Sequence, residues 1–293
     1  MTNSQPGILA PIPDDARYLS FSLIPGSEPI EALEALAELV IDDSIVVGLG
    51  SSLLLALGRE LPGMRTFPAL VGAGIDVPST PVALWCWLRG DDRGELVHCT
   101  RAICEAVETA FLLDDVIDGF KHGSGLDLSG YEDGTENPED EAAVAAGLIA
   151  GAGAGLDGGS FVAVQQWVHD LDTFMAMEPE QRDNVIGRRI SDNEELDTAP
   201  DSAHVKRTAQ EDFEPEAFIL RRSMPWADAA REGLVFVAFG KSFDAYEMLM
   251  KHMLGHDDGI HDELFSFTRP VTGAYFFCPP VKDGRLDLSS LSD

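Results

Sequence analysis

Positive charge is scarce in this chain. Its 293 residues hold 20 lysines and arginines against 51 aspartates and glutamates, a formal net charge of −31. Such a surface repels phosphate backbones, which disfavours nucleic acids and anionic membranes as partners and favours cationic or neutral small molecules. Long apolar runs are lacking as well. No stretch approaches the roughly 18 apolar residues that a membrane span requires. The opening MTNSQPGILAPIPDD has no basic region followed by an apolar one, so a secretory signal is not expected. Cysteine is limited to Cys86, Cys99, Cys104 and Cys278, with no CxxC pair, and the expected state is buried free thiol in a reducing cytoplasm. What the chain has in quantity is apolar residues, 45% of the total, enough for one large domain or two ordinary ones.

Periodicity predicts two similar halves. In the first, YLSFSLI (18–24) alternates as a strand with Leu19, Phe21 and Leu23 on one side. Ser27 is expected to cap a helix with Pro29 in its first turn and Leu33, Leu36 and Val40 on its inner face. SIVVGLG (44–50) and PVALWCWLRG (81–90) read as further strands, GELVHCTRAICEAVETAFLL (94–113) as an amphipathic helix, and residues 115–120 as a fourth strand. The order is βαββαβ. GLIAGAGAGLDGGS (147–160) reads as a linking turn; it lacks the strand–GxGxxG–helix context and the lysine of a nucleotide loop. Beyond it, SFVAVQQWVHDL (160–171) predicts a strand leading to helical segments around residues 179–189. AFILRRSM (217–224) and GLVFVAFG (233–240) predict a strand pair joined through Pro225 and Trp226. Ser242 is expected to cap the next helix, and GAYFFC (273–278) to be the last strand. The fold class expected is α+β: two ferredoxin-like βαββαβ modules with antiparallel sheets, residues 1–146 and 147–293.

Several polar residues sit where packing does not require them. GYEDGTENP (130–138) places Glu132, Asp133 and Glu136 between two glycines and a proline. That composition is ordinary chemistry for an acidic surface turn, the preferred reading from these residues alone; the alternative is a loop that brings one carboxylate close to another group. His204 lies in a long polar loop, 191–216. Arg221 and Arg222 interrupt a strand pattern, so one of them faces whatever the sheet covers and needs an accepting partner there. His252, His256 and His261 invite a metal reading, but Gly255 is expected to end their helix, and a helix end favoured by its dipole is the preferred reading. His98 and His169 default to packing or capping roles.

These motifs together resemble the dye-decolorizing (DyP-type) haem peroxidases. Gly130–Tyr131–Glu132–Asp133–Gly134 satisfies that family's GxxDG pattern. VQQWVHDLDTF (164–174), VIGRRISDNEELD (185–197), HVKRT (204–208), ILRRSMPW (219–226) and FSFTRPVTGAYFF (265–277) also resemble family sequence, in the family's order. The resemblance implies two ferredoxin-like modules enclosing haem b. It implies that His204 ligates the iron, that Asp133 and Arg221 stand on the peroxide-binding side, and that Ser223 is a polar residue near them. It further implies that Arg188 meets a haem propionate and that Asp262 orients His204, with Arg189 and Asp258 as the alternatives for those two roles.

The chemistry implied is proton transfer by Asp133 between the two oxygens of hydrogen peroxide, with Arg221 stabilising the departing one. Small organic reductants, such as dyes and phenolics, then supply single electrons. Tyr131 and Trp226 are candidates for relaying them, with packing as the default role of each. A carboxylate in the proton-moving position implies an acidic activity optimum. The resemblance also implies a cytoplasmic homo-oligomer. The ending DGRLDLSSLSD resembles, without a long preceding linker, the peptide by which some family members enter encapsulin compartments; a final surface segment is the preferred reading. The main alternative is a haem-binding, haem-delivery or iron-release protein without peroxidase turnover. A metalloprotein built on the 252–261 histidines and an acidic ferredoxin-like protein without cofactor are further alternatives.

Overall fold

The computed structural model describes residues 3–39 and 42–291. The first half is built from β1 (Asp15–Leu23), α1 (Pro29–Ala37), β2 (Ile45–Gly50), β3 (Leu84–Gly90), α2 (Arg93–Val107) and β4 (Phe111–Phe120). Its strands lie in the order β2-β3-β1-β4, every pair antiparallel. The second half is built from β5 (Ser160–His169), α3 (Pro179–Ile186), the one-turn helix α4 (His204–Arg207), β6 (Met224–Ala227), β7 (Glu232–Gly240), α5 (Asp244–Met253) and β8 (Ala274–Cys278). Here the order is β8-β5-β7-β6. In both halves the first and third strands are central and the second and fourth lie at the edges. That is the ferredoxin-like arrangement, and the fold is α+β as expected.

The two sheets do not stay separate. Edge strands β8 and β2 pair through Phe276↔Gly50 and Phe277↔Leu49, and β4 meets β6 at Gly119↔Trp226. Two short segments, 220–221 on β7 and 268–270 on β5, extend the same sheet. The result is a closed barrel, in which each edge strand covers another's unpaired backbone. Closure gives the strands two buried faces. Tyr18, Trp85, Trp87, Phe239 and Phe276 fill the interior, where Tyr18 stacks on Trp87 with ring centroids 6.2 Å apart. Their neighbours Leu19, Cys86 and Leu88 point outward under α1 and α2 with Leu33, Leu36 and Ile103. Continuous burial along β2 and β3 follows from this, as it does for any strand covered on both sides.

Several boundaries differ from the sequence expectation. Helix α2 ends at Val107, not at residue 113; Ala110 N donates to Val107 O in a turn, and Phe111 already belongs to β4. The apolar spacing ran on because the end of the helix and the start of the strand face the same core. Asp92 caps this helix, accepting from the amides of Gly94 and Glu95. Ser27 is not a cap: its hydroxyl donates to Ile24 O and Ala110 O, and Glu28 holds the cap position before Pro29. Leu33 and Leu36 are buried as expected, while Val40 lies outside the described residues. Pro225 and Trp226 are within β6 rather than at a joint; the turn is at 228–231, where Asp228 Oδ1 accepts from the amides of Ala230 and Arg231. Strand pairing in 217–224 is confined to Leu220, Arg221 and Met224. Ser242 accepts from Asp244 N just outside α5. β8 is followed by a small hairpin, Val281–Lys282 with Arg285–Leu286.

Candidate active site

The outer face of the second sheet carries a cavity of about 290 Å³. Along β7, Val235, Val237 and Phe239 point into the barrel, which leaves Leu234 and Phe236 on the outer face, where they form the cavity wall. Helix α5 covers this face and contributes Tyr246, Leu249, Met250 and Met253. The remaining walls come from the 125–136 loop, from α4 and from Arg221.

His204 opens α4, so it sits on a short helix rather than in the irregular loop expected. Its Nδ1 lies 2.7 Å from Asp262 Oδ2, and that carboxylate is completely buried. The imidazole is 23% exposed, faces the cavity, and has Nε2 unbonded among the described residues. Asp258 does something else: it takes a two-pronged bond from Arg207 at 2.8 and 3.0 Å. The Arg207 hydrogen bond holds the Asp258 carboxyl down at about 2. Arg207 also donates to His252 O, which ties α4 to the end of α5.

The 125–134 loop is a tight hairpin. Gly130 and Gly134 take φ of +91° and +79°, angles that cost a side chain about 1 kcal/mol or more. A Cβ on Gly134 would also lie 2.7 Å from Asn137 Nδ2. Of the three acids in GYEDGTENP, Glu132 is exposed and accepts from Asn193, and Glu136 accepts from Arg188 at 2.5 Å. Asp133 lines the cavity with Arg221 Nη1 3.6 Å from its Oδ1, beyond hydrogen-bond reach but close enough for a strong electrostatic contact. Asn137, to which sequence reasoning assigned no role, accepts from Arg221 N and donates to Arg221 O. It therefore fixes that arginine's backbone to the same loop.

The two arginines do point to opposite faces. Arg222 is spent on Leu9 O and Ala10 O; burial, with Arg89 nearby, pushes its guanidinium down to about 10. Ser223 is buried, accepts from Val237 N, and borders a second cavity of about 210 Å³ rather than the first. The two cavities share Glu132, Asp133, Gly134 and Arg221, so the carboxylate–guanidinium pair stands between them. Arg188 reaches the main cavity, whereas Arg189 is on the surface with Asp192. His252 and His256 are turned elsewhere, toward Asp257 and Val71 O. Tyr131 is buried and donates to Asp183; Trp226 is buried and donates to Trp167 O.

A flat, mainly apolar cofactor with acidic substituents fits these residues. Ile219, Leu234, Phe236, Leu249 and Met250 supply the apolar wall, and His204 supplies an imidazole oriented by a buried carboxylate. At this cavity the Tyr246 hydroxyl and Arg221 Nε are buried without a partner among the described residues, as expected of a site shaped to hold something more.

The class of protein this defines agrees with sequence and structure comparisons. The family model "Dyp-type peroxidase, C-terminal" matches residues 125–283, more than half of the chain. A dye-decolorizing peroxidase of Rhodococcus erythropolis is 29% identical over 97% of this chain and 96% of its own. The haem complex of a DypB variant from Rhodococcus jostii RHA1 superposes with a TM-score of 0.85 at 25% identity, over 95% of this chain and 97% of that one. An encapsulated DyP-type peroxidase from Mycobacterium smegmatis gives 0.85 at 26%, over 96% of each chain. The chain belongs to the Dyp-type peroxidase family.

Proposed function

We propose that the chain reduces hydrogen peroxide with His204 as the iron ligand and Asp133 and Arg221 as the groups that act on the peroxide. The chain is a haem peroxidase, as its family is. When bound, the haem supplies the iron at which peroxide is reduced and the one-electron oxidant that dyes or phenolics then discharge. Every further part of the proposal concerns this chain's own side chains.

Asp262 holds His204 Nδ1, which fixes the ring's orientation and leaves the Nε2 lone pair for the iron. Arg188, which borders the cavity, would meet a propionate by exchanging Glu136 for that partner. Asp133 accepts the proton from one peroxide oxygen and returns it to the other. Its carboxylate is free to do so because Arg221 stands 3.6 Å away rather than occupying it. Arg221 stabilises the charge that builds on the departing oxygen, with Asn137 holding its backbone in place. Ser223 borders the second cavity, which gives peroxide a way to Asp133 apart from the donor's mouth.

The observation that carries this reading is the meeting of Asp133, Arg221 and a carboxylate-backed His204 around one cavity. A haem-delivery protein would need the imidazole but not the other two. Stopped-flow mixing with peroxide tests it. Asp133→Asn and Arg221→Leu should each slow the peroxide-dependent step by about 10²-fold or more, with haem content retained. Wild-type rates in both variants would remove the assignment.

Among the described residues no helix is long and apolar enough to cross a membrane. All four cysteines are free thiols, which suits a cytoplasmic setting. The M. smegmatis relative is encapsulated; in this chain Leu286 and Leu291 are buried, which favours a packed final segment over a docking peptide.

A further inference from the structure

His204 and His169 are the two histidines that line the main cavity among the described residues, and the reaction as derived uses only His204. His169 ends the central strand β5 and is buried. Both of its ring nitrogens are taken: Nδ1 lies 2.6 Å from Thr268 Oγ1, and Nε2 lies 3.0 Å from Asp127 Oδ1. Thr268 in turn donates to Val168 O, and the Phe267 ring lies 5.8 Å from the imidazole. With neither nitrogen free, His169 has no lone pair to offer a metal and no proton to offer a substrate. Its role must act through Asp127.

Asp127 lies at the closed end of the hairpin that bears Asp133. Its amide donates to Tyr131 O and its carbonyl accepts from Gly130 N. Its second carboxylate oxygen accepts from Ser129 N. Leu126 then pairs with Glu132 across the hairpin, and Asp133 N donates to Gly125 O. The tip is thus bonded to a barrel strand, and the arm carrying Asp133 follows from the tip. Tyr131 adds a parallel anchor through its bond to Asp183. Burial raises the Asp127 carboxyl, but the His169 and Ser129 bonds outweigh it and leave the group below its ordinary value.

We infer that Asp127 and His169 are positioning residues for the peroxide step: their bond fixes the 125–134 hairpin so that Asp133 stands in reach of Arg221 and the peroxide. This rests on the assignment of Asp133 given above. A displacement of about 1 Å at a proton-moving group costs on the order of 10²-fold in rate, so loosening the tip should be costly without any loss of fold.

The test is a double-mutant cycle on the haem-loaded enzyme with a second readout by amide hydrogen exchange. Asp127→Ala and His169→Phe should each slow the peroxide-dependent step between about 10- and 100-fold. Haem content and the donor-dependent step should stay at wild-type values, and His169→Gln, which keeps a donor toward Asp127, should recover part of the loss. In an Asp133→Asn background the same substitutions should add less than about twofold, because their effect passes through Asp133. Exchange in residues 125–134 should quicken in both single variants. Full additivity with Asp133→Asn, or unchanged exchange in 125–134, would overturn the inference. Should Asp133→Asn itself leave the peroxide step unaltered, the assignment of Asp133 fails, and the exchange data alone decide whether the tie exists.

Discussion

Among individual residues, the barrel interior raises a question that the active site does not. The Tyr18 hydroxyl and the indole nitrogens of Trp85 and Trp87 are buried there with no hydrogen-bond partner among the described residues. The rings are retained for volume: Trp85 stacks on Phe276 at 5.7 Å and Trp87 on Phe239 at 6.2 Å, and truncating either indole to alanine should cost about 3–5 kcal/mol. Removing only the orphaned oxygen is different, since a buried polar group without a partner is itself unfavourable. Tyr18→Phe should therefore leave unfolding free energy unchanged or raise it by up to about 1 kcal/mol, as read from urea denaturation. A loss above about 1 kcal/mol would mean that the hydroxyl has a partner. Asn137 shows the opposite economy, with both ends of one amide holding the backbone of Arg221.

Among the elements, α4 is the part that carries His204, the proposed iron ligand. It is one turn long, too short to be stable alone, and depends on its side-chain ties. His204 is bonded to Asp262 and Arg207 to Asp258, so the helix is fastened at both ends of the turn. Asp258 is pushed down to about 2 by its bond from Arg207, below the ordinary value of 3.8. A depressed carboxyl contributes stability that is complete above the ordinary value and is lost as pH falls through the depressed one. Asp258→Asn should thus lower the melting temperature by a constant amount from neutral pH to about 4, with the gap closing toward about 2. A gap that widened in acid would contradict this. The alternation that makes strands of 18–24 and 233–240 was readable from sequence, and so were the two βαββαβ sets, because each strand has one face under helices. Barrel closure was not readable: it joins β8 to β2 and β4 to β6, pairs separated by more than a hundred residues, and no local pattern encodes which edges meet. That His204, Asp133 and Arg221 gather around one cavity was legible through motif resemblance. The His169–Asp127 tie was not, since a histidine at a strand end has the spacing of a packing residue.

At the scale of the whole molecule, charge dominates. The net charge is −31, and the cavity is bordered by Glu136, Glu195, Glu211 and Asp212, with Arg188 paired to Glu136 and Lys206 to Glu195 beside them. Such a field draws cations toward the mouth and repels anions, and salt screens both effects over about 8–10 Å. For a cationic dye, kcat/KM should fall as ionic strength rises from about 0.01 to 0.5 M, and for an anionic dye it should rise; steady-state assays at fixed peroxide measure both. Equal, flat salt profiles would mean that donors are oxidised away from this mouth. Beside charge, closure and loop geometry, the proposed function depends on one coordinate bond from the imidazole of His204. The most direct measurement is the absorption and electron paramagnetic resonance spectrum of His204→Ala after haem loading, beside that of the unmutated protein. Loss of the imidazole-ligated signature and of most bound haem is the expected result; an unchanged Soret band with intact nitrogen coordination would contradict the account.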